Sequence, residues 1–219
     1  MKPDYEKAAR MATGTLIRYG IGTAPIDPLA ILKRIPGVLV MTFEEMSNRT
    51  NVDRKEILDT LGCTNQDAVT TVFIEDDSLQ YVVTYNRMLS ARVVDRALAR
   101  ELGHIVLAHD GTKPEDIRNE EARAFAHHLM CPRPLIHALQ AAGIRLTVEA
   151  VGNITGFYDY CMSCIRKQPG VIVPPEMNRT VRDQFMPYVM NLAEYQKYAA
   201  MKDGSALADF GHYMEGYEE

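Results

Sequence analysis

Between residues 68 and 109 the spacing of apolar side chains changes from every second position to every third or fourth, and that change limits the folds open to the chain. Residues 68–75, AVTTVFIE, and 79–86, LQYVVTYN, flank the turn-forming run Asp76-Asp77-Ser78. In the second run Leu79, Tyr81, Val83 and Tyr85 alternate with Gln80, Val82, Thr84 and Asn86, the period of a strand with one face on a core. The two runs are expected to pair as a β-hairpin. From about 88 to 109, Val94, Ala97, Leu98, Leu102 and Ile105 recur at helical spacing, which predicts a helix with one buried stripe. A hairpin feeding a long amphipathic helix points to an α+β fold, with a small mixed or antiparallel sheet beside a helix pair.

The rest of the chain reads mostly as helix. Residues 4–19 carry a helical stripe ended by Gly20, and Asp27-Pro28 supplies an N-cap and a first-turn proline for a second helix. Residues 38–41 read as a short buried strand, and 53–61 as a short helix stopped by Gly62. Further helices are expected over 114–130, 133–142 and 147–167, and over 178–202 with an interruption at Pro187. The 219 residues, 47% of them hydrophobic, suffice for one sizeable core. The expected organisation is a main domain over 1–143, a helical extension over 144–202 and an acidic, frayed tail over 203–219.

Charge and composition narrow the function. A formal net charge of −5 lacks the basic footprint of a general nucleic-acid binder. No run approaches the ~20 apolar residues of a membrane span, and the opening MKPDYEKAAR has no apolar signal core. A cytoplasmic protein is the expectation. Of Cys63, Cys131, Cys161 and Cys164, only the last two form a close pair; one pair cannot supply four zinc ligands, so ordinary buried thiols are expected.

The chemistry-bearing segment is Arg100-Glu101-Leu102-Gly103-His104. In a His-Glu-x-x-His helix the two imidazoles share a face and reach one zinc ion at ~2.0–2.1 Å, while the glutamate serves as general base. Here Glu101 and His104 are in place, but Arg100 stands at the first position. An arginine guanidinium stays protonated and offers donors without a lone pair, so it is no substitute ligand. His109, five residues beyond His104, is expected on another face, packing against or capping the helix end, and His127 and His128 are expected to pack or face solvent.

The surrounding sequence, Ala99-Arg100-Glu101-Leu102-Gly103-His104-Ile105-Val106-Leu107-Ala108-His109, resembles the AHELGHILLxH segment of the ImmA/IrrE family of metallopeptidase-like proteins. Downstream, Glu121-Ala122-Arg123-Ala124-Phe125-Ala126 and Leu129-Met130-Cys131-Pro132 resemble that family's EANxFAxxLLMP. Two changes depart from the pattern: Arg100, and Asp95-Arg96-Ala97-Leu98 where Arg-Phe-Thr usually stands. The resemblance implies a zincin-like fold, Glu121 as third zinc ligand, Glu101 as general base, and a partner such as a transcriptional repressor of a mobile element or stress response.

Three readings stay open at this point. The first is a catalytically degenerate homologue without metal, binding a protein partner, with Glu101, His104 and Glu121 vestigial. Arg100 is then expected where the metal would sit, paired bidentately with Glu121. The second is a working zinc endopeptidase that has recruited another ligand. The third is a divalent-metal binding module without hydrolysis, built on the Glu-x-x-His spacing of Glu101 and His104 with Glu121.

Overall fold

A computed structural model describes residues 1–61, 67–75, 78–157 and 172–203. The elements run α1 (Tyr5–Tyr19), α2 (Pro28–Leu32), β1 (Val38–Thr42), α3 (Phe43–Thr50), α4 (Arg54–Thr60), β2 (Ala68–Glu75), β3 (Ser78–Tyr85), α5 (Ala91–Val106), α6 (Glu115–Met130), α7 (Arg133–Ala141), α8 (Val148–Thr155) and α9 (Pro175–Asp203). The fold is α+β, as expected, and the local signals act as they should. Asp4 accepts a hydrogen bond from the Lys7 amide to cap α1, and Asp27 accepts from the Ala30 amide to cap α2. Gly20 closes α1 in the left-handed region, with φ 64°.

The sheet has the order β1-β3-β2. The hairpin pairs Ala68 with Tyr85 through to Glu75 with Ser78, and β1 lies parallel to β3 with Val38 opposite Tyr81. β2 is therefore an outer strand, with no further strand beyond it among the described residues. The alternation in β3 sends Tyr81, Val83 and Tyr85 into the main core. The opposite face meets a smaller cluster of Phe43, Ile57 and Leu58, against which Val69 packs. The sheet thus lies between α5 on one side and α3 and α4 on the other.

Helix α3 is an element absent from the sequence reading. Thr42 and Glu45 form a capping box: the Thr42 hydroxyl accepts from the Glu45 amide at 3.1 Å, and the Glu45 carboxylate accepts from the Thr42 amide at 2.7 Å. A second difference is α9, which continues through Pro187. Val181, Phe185, Tyr188, Val189 and Leu192 are all buried, so both sides of the proline are anchored to one core and the local loss of a backbone hydrogen bond is tolerated. That core also takes in Ile144, Val151 and Ile154, so the described part of 144–202 shares the hydrophobic core of residues 1–143. Cys131 is buried, whereas Cys63, Cys161, Cys164 and residues 204–219 lie outside the described residues.

The pairing of α5 with α6 positions everything that follows. It depends on Gly103, where an added Cβ would lie 3.1 Å from the Ala122 carbonyl oxygen, 3.2 Å from its Cα and 3.1 Å from the Phe125 ring. Two of those neighbours are helix backbone and cannot turn aside. Gly103→Val is expected to lower stability by about 1–3 kcal/mol through overpacking, and urea denaturation of the two proteins measures it.

Candidate functional site

Three walls enclose a cleft of about 410 Å³: the outer strand β2, the exposed face of α5 and the N-terminal half of α6. From α5 come Arg100, Glu101 and His104, the last one helical turn beyond the first two. Arg118 and Arg123 enter from α6, and Ala68, Thr70 and Val72 from β2.

Glu121 is buried at 1% exposure, yet it is held as an anion. The Lys113 ammonium donates to both carboxylate oxygens at 2.8 Å, the Asp4 amide donates to Oε1 at 2.9 Å, and Nε2 of His109 lies 2.9 Å from Oε2. Burial works against the charge, but the hydrogen bonds from Lys113, Asp4 and His109 outweigh it and hold the pKa down to about 2. The expected pairing of Arg100 with Glu121 is not formed: Lys113 takes that place. Among the described residues the Arg100 side chain makes no hydrogen bond or ion pair.

His109 also departs from expectation. Helix α5 ends at Val106, and Ala108 adopts a left-handed conformation with φ 52°. The His109 amide then donates to the His104 carbonyl at 3.0 Å and the Ala108 amide to the Ile105 carbonyl at 3.0 Å, the two bonds of a Schellman motif. This reversal returns the His109 ring to the site, with Nδ1 2.9 Å from Nδ1 of His104. The tautomers follow. An ionised Glu121 only accepts, so Nε2 of His109 donates to it. Burial lowers the His109 pKa, leaving a neutral ring whose Nδ1 is the acceptor. Nδ1 of His104 must then be the donor, and its Nε2 keeps a free lone pair. Burial first, then the nearby His109, Arg118 and Arg100, depress the His104 pKa to about 4, so this ring too is neutral near pH 7.

Glu101 points the other way. Its carboxylate accepts from the Thr70 hydroxyl at 2.7 Å, and burial pushes its pKa up to about 7 despite that bond and the nearby Arg100. The structure therefore gathers Arg100, Glu101 and His104 in the cleft, while Glu121 lies behind it and reaches His104 only through His109. His127 packs edge-on against Phe157 at 5.6 Å between ring centroids.

The donors, so arranged, do not fit a tetrahedral zinc site. Both oxygens of Glu121 are engaged by Lys113, the His109 ring stands between His104 and Glu121, and the first ligand position holds a cation. Among the described residues no group of three His, Cys, Asp or Glu side chains is disposed to hold a metal ion. Lys113, Thr70 and Arg118 are absent from the sequence reading, which has His109 only as a packing or capping residue. Only His109 had a signal: it matches the terminal histidine of the AHELGHILLxH segment.

The fold and cleft define a metallopeptidase-like α+β domain. Residues 64–155 match the family model described as the IrrE N-terminal-like domain. Residues 64–155 are thus similar to an ImmA/IrrE-like, metallopeptidase-like domain. No curated protein and no solved structure matched it.

Two expected outcomes follow from these charges. The folded protein holds the Glu101 proton more tightly than the unfolded chain, where the carboxyl titrates near 4.5. Its contribution is complete below pH 4.5 and lost as pH rises through about 7. Glu101→Gln should therefore gain on the wild type across that interval, by a difference on the order of 3 kcal/mol, in urea melts from pH 4 to 8. Arg100→His alone should take up zinc weakly, because Lys113 still occupies Glu121. Adding Lys113→Met should tighten zinc binding by about 10-fold or more, as measured by isothermal titration calorimetry.

Proposed function

We propose that this chain is a catalytically degenerate member of its family that captures an extended segment of a protein partner without cutting it. The observation carrying the reading is the replacement of the metal-binding pair: Arg100 stands where the first histidine ligand belongs, and Lys113 neutralises Glu121, the matched third ligand. Without a metal-bound water, Glu101 has no activated nucleophile from which to take a proton. The groove persists regardless. β2 is an outer strand beside the cleft, and strand addition needs only backbone groups and side-chain pockets. Val72 and Phe73 on that strand are 46% and 48% exposed and offer apolar contacts.

The family resemblance makes a transcriptional repressor the first candidate partner. A membrane partner has no support in the fold, since no helix among the described residues is long and apolar enough to cross a bilayer. The acidic balance of the chain likewise disfavours direct contact with nucleic acid.

The test mixes the protein with repressors encoded beside it, follows complex formation by sedimentation, and follows the partner by mass spectrometry with and without zinc. A complex with an intact partner in both conditions is expected. Discrete fragments that appear with zinc and vanish in Glu101→Gln would overturn the reading.

A further inference from the structure

Arg100 from α5 and Arg118 from α6 line the same cleft beside His104, and neither side chain is hydrogen-bonded or ion-paired among the described residues. Nε of Arg118 is buried without a hydrogen-bond partner. Such a donor leaves the cost of its desolvation unrecovered unless an acceptor arrives. Elsewhere the chain pairs its site charges closely: Lys113 with Glu121, and Arg123 with Glu120 at 2.8 Å. Arg100 and Arg118 have no such counter-ion among the described residues. Of the carboxylates lining the cleft, Glu101 is directed to Thr70, and Glu115 forms no ion pair with either arginine among the described residues.

We propose that the cleft is a carboxylate pocket, in which Arg100 and Arg118 together hold a carboxylate carried by the extended segment that pairs with β2. Guanidinium forks match a carboxylate in plane and charge, and give bonds about twice as strong as neutral ones. Val72 and Ile105 add apolar contacts at the flank of the cleft, which suits a peptide better than a polyanion. The carboxylate comes either from an Asp or Glu side chain or from a free C-terminus. This proposal rests on the strand-capture reading and adds to it the chemistry that selects the segment.

Three neutral-bodied octapeptides of alternating Thr and Val separate the possibilities: one acetylated and amidated, one also carrying a central Glu, and one with a free C-terminal carboxylate. Binding to the full chain is followed through the Nε–H resonances of the arginines and by fluorescence anisotropy of labelled peptides. At least one carboxylate peptide should bind about 10-fold more tightly than the neutral one and shift the Arg118 Nε–H signal. Arg100→Gln or Arg118→Gln should remove most of that preference. The choice between the two carboxylate peptides identifies the source. Equal binding of all three would overturn the carboxylate pocket while leaving strand capture standing, and no binding by any of them would overturn both. Inorganic phosphate shifting the same resonances at lower concentration than either carboxylate peptide would also overturn the proposal, in favour of a phosphate site.

Discussion

The carboxylate of Glu121 is buried where α1, α6 and the turn after α5 meet, and each of these supplies a donor that keeps it charged. The Asp4 amide comes from the cap of α1, Lys113 from the segment leading into α6, and His109 from the turn that ends α5. A buried carboxylate without such donors would cost several kcal/mol or take up a proton. The network therefore ties three parts of the chain to one point. It also fixes the tautomers of His109 and His104 in sequence, so the polarity of the cleft wall is set by a residue behind it.

The rest of the cleft follows from how closely α5 and α6 approach at Gly103. That approach buries Glu101 and His104 enough to make the first partly neutral near pH 7 and the second almost wholly so. An arginine guanidinium stays protonated in proteins. With its acid and imidazole quieted by burial and the Arg100 and Arg118 guanidiniums beside them, the cleft has a positive local field within a chain of net charge −5.

Much of this was legible in the sequence, because its largest signals are local. The strand alternation at 79–85 placed Tyr81, Val83 and Tyr85 on the core face, and the stripe through Ala97, Leu98 and Leu102 placed the buried side of α5. Two kinds of feature were missed. The capping box at Thr42 and Glu45 is a local pattern that was readable and passed over. His109 and Lys113 could not be placed by periodicity, because the left-handed turn at Ala108 breaks the helical frame that such reasoning assumes. No glycine marks that turn; an alanine is held there by the two bonds of the Schellman motif. The Arg100–Glu121 pairing failed for the same reason, since it overlooked a nearer cation delivered by the loop.

A metal ion and an ammonium group meet the same structural need at Glu121: compensating positive charge for a buried carboxylate. On the proposed reading this is why the fold can dispense with zinc while keeping Glu121, whose loss would strand Lys113 and release Asp4. The exchange is not neutral for the cleft, however. A divalent ion with an open coordination site polarises a carbonyl and activates water, and binds its substrate through an electrophile. A pair of guanidiniums has no open coordination site; it presents N–H donors in a fixed plane, and its best match is a carboxylate. On the proposed reading, arginine at the first ligand position turns the groove from attack on a peptide bond to recognition of an acidic group beside one. The β2 edge serves either purpose, since backbone pairing does not depend on which of the two occupies the wall opposite.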